Sequence, residues 1–528
     1  MMGKENLRKK IAFGGIMLLA FIVRVIRFGT VPGGFNQDGA MGAVDALALA
    51  TYGTDRFGMF LPAHLTAWGD SQMSAMLSYL TVPFIKIFGF NEVVVRLPLL
   101  MISMLGLWVL YLLMKDIFGE QAGLIVLLFA AINPWHIMQS RWALDCNLFP
   151  HFMLFSVYFL FKSMSKKLYV YIAAVFFALA LYCYGIAFIA VPVFLAAACF
   201  LFLKHKYLNI KEILLSGFVF FMVGSPVIGV MVVNAFRLRT LYLPFVTIGF
   251  FEQSGRSTDI LLFSAKPLRQ LGLNAKALGD ALLQKPDELW NSIADFGTMY
   301  LLSIPFALLG ILMLIARLKN AEIKQKIGIW LVFFWFIAGV VSGLMINNVN
   351  INRINIIFYP LLIFIGLGIY YLLFEVIQKN QRRLAVFLIG SLYCFYFTLF
   401  TVSYFGVHND QLSEAFYDGF GEAVKYVDSQ DYDYIYVTSF SKREEDWQVS
   451  EILTQFHLRL DAHYTQGIAG RGADLPYRER YRYVKFWEES PDSGRKDVAY
   501  VVNNKELWLF GEGFEVMEFA YYSAVMPK

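Results

Sequence analysis

Charge is scarce in this 528-residue chain: Asp, Glu, Lys and Arg make up 16%, against 58% hydrophobic and 17% aromatic residues, and mean hydropathy is +0.55. A soluble globular protein of this size does not have that balance, so the chain reads as a polytopic membrane protein. Cysteine is scarcer still. Cys146, Cys183, Cys199 and Cys394 are the whole set, and residues 405–528 hold none, so no disulfide framework is expected and the four read as small buried hydrophobes. Zinc-type ligand spacing, a Gly-x-Ser-x-Gly elbow, a Walker loop and a dinucleotide fingerprint are all missing. Nucleotide chemistry therefore has no support, and no nucleic acid partner is expected. Low-complexity segments and short-period repeats are also absent.

What is present is a series of long apolar runs. Taking roughly 20 apolar residues as one bilayer crossing, eleven spans are expected at 11–28, 93–114, 121–138, 148–162, 168–186, 188–203, 213–234, 298–316, 327–346, 354–374 and 384–404. Basic clusters around Arg8 to Lys10, Lys162 to Lys167, Lys204 to Lys211, Arg317 to Lys326 and Lys379 to Arg383 then fall on one side, which the positive-inside rule makes cytoplasmic. The N-terminus is expected there and the tail outside. The first span lacks a small-residue cleavage site and reads as retained.

Two outer segments, 29–92 and 235–297, are too long for turns. In the first, a helix beginning near Asp38 and a second over Ser74 to Phe88 suit the membrane interface. Asp38 would sit at the positive end of its helix; it is equally readable as a plain N-cap. The second segment could lie over the first as a lid. Beyond Tyr404 the balance of charge inverts, with 13 Lys and Arg against 22 Asp and Glu over 405–528. Leu412 to Val427 is amphipathic, and Tyr434 to Thr438, Val498 to Val502 and Phe514 to Phe519 read as strands, so the tail is expected to be a small α/β domain. Tyr477 to Tyr483 alternates aromatic and charged residues, which suits a solvated surface or, less well, a polyanion or sugar site.

Polar residues collect at the outer ends of the spans: Asp38 and Asp45; His64 and Asp70; Arg96; His136, Arg141, Asp145 and His151; and Asn347 through Arg353. Charges at such depth are costly unless they serve a partner or a cavity. Carboxylates beside arginines are what a site needs to deprotonate a hydroxyl while holding a phosphate leaving group.

The order of these motifs is informative. An Asp in the first outer loop is followed by Phe88-Gly89-Phe90-Asn91-Glu92-Val93-Val94-Val95-Arg96-Leu97-Pro98, by Asp116-Ile117-Phe118-Gly119, and by Asn133-Pro134-Trp135-His136 running to Arg141-Trp142-Ala143-Leu144-Asp145. This series resembles the bacterial members of the protein O-mannosyltransferase and aminoarabinose transferase superfamily, integral-membrane glycosyltransferases of the C-type (GT-C) fold. The resemblance covers residues 10 to about 200 and continues through Asn352-Arg353 and Phe358-Tyr359-Pro360.

It implies an all-α membrane domain over 1–404, including both outer loops, with a small extracytoplasmic α/β domain over 405–528. It also implies transfer of a sugar from a polyprenyl-phosphate carrier to a hydroxyl of an envelope polymer, lipid or protein at the outer face of a bacterial inner membrane, with inversion. Asp38 is then the catalytic base. Asp145, Arg353, Arg141, Asp70, His64, Asn352, Tyr359 and Trp68 form the substrate-binding set, with Arg353 on the donor phosphate. Relatives often carry Asp-Glu in the first loop, whereas Gly39 follows Asp38 here, so a divalent metal held by Asp38 and Asp145 is the weaker option. Asp70 stands where relatives have a polar contact, or caps a helix beginning at Ser71. His64, His136 and His151 also read as core or interface histidines, and Trp68 as an interfacial tryptophan. A transporter or flippase of lipid-linked sugars is the competing reading; it would favour mid-span charges, broken helices and related halves.

Overall fold

The computed structural model describes residues 2–252, 260–440, 447–467 and 477–528. Each apolar run becomes helical. Along the chain lie α1 (Met2–Val25), α2 (Gln37–Tyr52), β1 (His64–Thr66), β2 (Gln72–Ser74), α3 (Met76–Phe88), α4 (Glu92–Phe118), α5 (Glu120–Ala131), α6 (Pro134–Gln139), α7 (Phe149–Lys162), α8 (Leu168–Ala180), α9 (Ala187–Lys204) and α10 (Ile210–Ala235). They are followed by β3 (Leu241–Leu243), β4 (Val246–Ile248), α11 (Pro267–Leu282), α12 (Ile304–Arg317), α13 (Ile323–Met345), α14 (Phe358–Tyr371) and α15 (Arg382–Phe405). The tail adds α16 (Val407–Ala415), α17 (Phe420–Asp428), β5 (Tyr434–Thr438), α18 (Trp447–Leu458), α19 (Ala462–Gln466), α20 (Tyr477–Arg480), β6 (Tyr481–Val484), β7 (Val498–Asn503), β8 (Phe514–Glu518) and β9 (Tyr522–Pro527).

These elements cluster into two compact units, and the division does not follow the chain. One contains 1–26, 99–236 and 254–404; the other contains 27–98, 237–253 and 405–528. The second long outer segment is shared between them, and of the lid expected there residues 253–259 lie outside the described residues.

The first unit is the membrane unit. Among the described residues six helices are long and apolar enough to cross a bilayer by themselves, and the chain is a multi-pass membrane protein. The stretch Asn355–Val376, which contains α14, is its central span, 83% buried where the corresponding window of α15 is 11% buried. α12 and α14 approach closely because glycines face each other: a Cβ on Gly310 would run into the carbonyl of Phe364, and one on Gly368 into that of Phe306. At the start of α10, Asn209 Oδ1 accepts from Glu212 N at 2.9 Å and Glu212 Oε2 accepts from Asn209 N at 2.8 Å, a capping box that satisfies two otherwise orphaned amides.

The second unit joins the first outer loop to the tail. Phe35 stacks on Phe456 of α18 at 4.4 Å between centroids, Tyr52 Oη donates to Asp461 Oδ2 at 2.6 Å, and the amide of Phe35 donates to Phe416 O at 2.6 Å. Gly34, at φ +67°, permits this close approach, since a Cβ there would meet the carbonyl of Phe416. The tail sheet has the strand order β6-β5-β7-β9-β8, parallel for β6-β5-β7 and antiparallel for the rest, over a core that includes Phe486, Val498, Val502 and Val525. The α/β tail expected from the sequence is present, with β6 and β9 added to the three expected strands.

Candidate active site

Asp38 lies in the first turn of α2, and the cap of that helix is its neighbour. Asn36 Oδ1 accepts from Asp38 N at 2.9 Å and Gly39 N at 3.4 Å. The N-cap reading of Asp38 is thereby overturned, because Asn36 is the N-cap and Asp38 lies inside the first turn. The carboxylate has a different partner: Trp68 Nε1 donates to Asp38 Oδ1 at 2.7 Å, which fixes its rotation at the positive end of the helix.

Trp68 opens the turn Trp68–Asp70, and β1 and β2 flank that turn as an antiparallel pair with His64 opposite Ser74. Asp70 ends it at φ +59° and is exposed. No helix begins at Ser71; α3 starts at Met76, so Asp70 does not cap one. His64 is buried, its Nδ1 3.1 Å from Ala63 O.

Asp45, two turns further along α2, is fully buried against Arg56. Its Oδ1 accepts from Arg56 N at 2.9 Å, and Arg56 Nη2 donates to Thr66 O at 2.7 Å, so the pair ties α2 to β1. Burial pushes the Asp45 carboxyl up, with Arg56 pulling the other way.

In the membrane unit, two turns far apart in sequence meet. Asp145 opens the turn before α7 and accepts from Cys146 N at 2.7 Å; Asn355, two residues after Arg353, donates through Nδ2 to Cys146 O at 2.7 Å. Arg353 is half-buried and its Nη1 donates to Asn347 O at 2.7 Å. Beside it, Asn352 Oδ1 is buried with no hydrogen-bond partner among the described residues. Asp145, Arg353 and Asn352 are thus held on adjoining turns.

Arg141 and Tyr359 have other surroundings. Arg141 is fully buried, and its guanidinium donates to the carbonyls of Val23, Arg24 and Ile26 at 3.2, 2.6 and 2.7 Å, satisfying the C-terminal end of α1. Tyr359 sits in a buried chain of side chains. Arg24 Nη2 donates to His136 Nδ1 at 2.9 Å; Tyr359 Oη is 3.0 Å from His136 Nε2 and 2.8 Å from His151 Nδ1; His151 Nε2 is 3.2 Å from Ser103 Oγ. Because a guanidinium can only donate, the protons are fixed along the chain: His136 donates from Nε2, Tyr359 donates to His151 Nδ1, and His151 donates from Nε2 to Ser103.

The family profile described as dolichyl-phosphate-mannose-protein mannosyltransferase matches residues 73–229. The crystal structure of ArnT from Cupriavidus metallidurans bound to undecaprenyl phosphate superposes with a TM-score of 0.56 at 10% identity, covering 98% of this chain and 97% of that one. The chain has the GT-C fold.

A GT-C oligosaccharyltransferase of Archaeoglobus fulgidus, solved with zinc and sulfate, gives a TM-score of 0.53 at 15% identity over 84% of this chain and 61% of that one, so the present chain spans about three fifths of its length. No curated protein matches the chain in sequence.

For a GT-C protein with the metal option raised above, the donor set is the test. Among the described residues no group of three or more His, Cys, Asp or Glu could hold a metal ion, and no step below runs through one. Reasoning from sequence missed Arg24 and the pairing of Asp45 with Arg56. An arginine in the first apolar run, which holds Arg24 and Arg27, is the signal that could have found Arg24.

Proposed function

We propose that the chain is an integral-membrane glycosyltransferase that moves a sugar from a polyprenyl-phosphate carrier to a hydroxyl of an envelope acceptor, on the outer face of a bacterial inner membrane. The observation that carries this reading is the Asp38 carboxylate, relieved of capping by Asn36 and oriented by the indole of Trp68, in a chain of GT-C fold. In this reading Asp38 takes the proton of the acceptor hydroxyl as its oxygen attacks the anomeric carbon. The bond from that carbon to the phosphate oxygen breaks with inversion, and its electron pair leaves with the polyprenyl phosphate. Arg353 sets its guanidinium against the phosphate, since a planar fork pairs with two oxygens at once. Asp145 and the unpartnered Asn352 Oδ1, on the adjoining turns, accept hydrogen bonds from the donor sugar.

Purified protein given a panel of undecaprenyl-phosphate sugars and mixed envelope acceptors tests the reading by release of undecaprenyl phosphate. Release with at least one donor is expected. No release with any, together with movement of a labelled carrier across vesicles, would make the chain a flippase.

A further inference from the structure

The outer unit holds a cavity of about 500 Å³, inside the roughly 300–1,000 Å³ range of small-molecule sites. One wall is the turn Trp68–Asp70 of the first outer loop; the other is α18 of the tail, with Arg478 beside it. We propose that this cavity binds an uncharged, hydroxyl-rich acceptor, a neutral glycan segment, so that the tail chooses what is glycosylated. The proposal rests on the glycosyl-transfer reading above.

The chemistry of the walls favours a neutral sugar. Trp447 is 42% exposed and Arg478 lies over its ring at 5.2 Å from the centroid, while Arg478 is itself held by Glu451 through bonds of 3.0 and 3.4 Å. Glu451 and Arg478 neutralise each other, and Asp70 balances Arg56 in the same lining, so the walls carry no net charge to attract a phosphodiester or any other anionic polymer. Gln455, also in the wall, is 8% exposed and adds a polar amide to it.

Sugar rings present apolar faces and hydroxyl edges together, which is what two indoles beside carboxylate and amide oxygens can match. An extended peptide would instead seek a strand edge, and these walls are turns and helices. Trp68 links the cavity to the chemistry: the indole that borders it also holds Asp38, so a hydroxyl bound there is delivered beside the base.

The test is calorimetric titration of the full-length protein in detergent, without donor. The probes are neutral gluco-, manno- and galacto-oligosaccharides, a glycerol-phosphate oligomer of matching length and a Ser/Thr-rich peptide. At least one neutral series should saturate, while the phosphate oligomer and the peptide should not. Trp447→Ala should weaken the neutral series about tenfold, as removal of a central aromatic contact does. Asp70→Asn preserves the fold, because Asn suits the left-handed backbone, and should weaken neutral binding severalfold while admitting the phosphate oligomer. No binding of any neutral series, preference for the peptide or the phosphate oligomer, or unchanged binding in both variants would overturn the proposal. The two readings fail separately. Full transfer by Asp38→Asn with Trp447-dependent sugar binding intact removes the base and keeps the cavity. An inactive Asp38→Asn with sugar binding indifferent to Trp447 removes the cavity alone.

Discussion

At the residue scale, the most informative side chains are polar ones that the fold has taken out of water. Glu506 is 3% exposed, closes a capping box with Asn503 and accepts from Thr438 Oγ1 at 2.6 Å. Burial pushes its carboxyl up from 4.5 to about 7. The folded protein keeps this proton at a pH where the unfolded chain has lost it, so the group costs nothing below about pH 4.5. Stability then falls as pH rises through about 7, by on the order of 2 kcal/mol. Thermal unfolding of the full-length protein at pH 5 and pH 8 should show this loss, and Glu506→Gln should flatten it.

Asp38 could be singled out in sequence by its place in the first outer loop and by the family resemblance, while the N-cap reading stayed open. Its partner could not be. Trp68 is 30 residues away, and the pairing of β1 with β2 and the Asp45–Arg56 tie to Thr66 bring the intervening turn back to α2.

At the element scale, the buried chain from Arg24 to Ser103 joins α1, α4, α6, α7 and α14 through side chains whose neighbours are 48 to 223 residues apart. His136 and His151 could be singled out from sequence, yet no local spacing connects them to Tyr359 or Arg24. Gly106 in α4 makes room for the chain: a Cβ there would lie 2.5 Å from His151 Nδ1 and 2.6 Å from Tyr359 Oη. Gly106→Ala should therefore destabilise the membrane unit by about 1–3 kcal/mol, the usual cost of overpacking, visible as a lower unfolding temperature in detergent. Unchanged stability would mean that the chain adjusts freely. In the stretch Tyr477 to Tyr483 the charges Arg478, Glu479 and Arg482 are exposed, as their alternation suggests, whereas sequence does not tell that Tyr477 and Tyr481 are buried, that Arg480 pairs with Asp428 at 3.3 Å or that Tyr481 to Val484 form strand β6.

At the scale of the whole molecule, helix was readable along the apolar runs because long apolar stretches have no soluble alternative; of the eleven spans expected, six fall on helices that are by themselves long and apolar enough to cross a bilayer among the described residues. What sequence could not tell is that the first outer loop and the tail form one compact unit, since their contacts join residues about 400 apart, such as Tyr52 with Asp461. Deleting 405–528 removes the packing partners of Phe35 and Tyr52, so it should abolish transfer and expose the first loop to protease. A truncated protein with intact activity would separate the tail from the site.

The central claim is that Asp38 is the base of a glycosyl transfer. Its most direct test is kcat/KM of purified wild type and Asp38→Asn with the best undecaprenyl-phosphate sugar, alongside unfolding curves that establish equal folding. A loss of about 10²–10⁴-fold in the folded variant, the usual worth of a positioned general base, is the predicted result; activity close to wild type would contradict it.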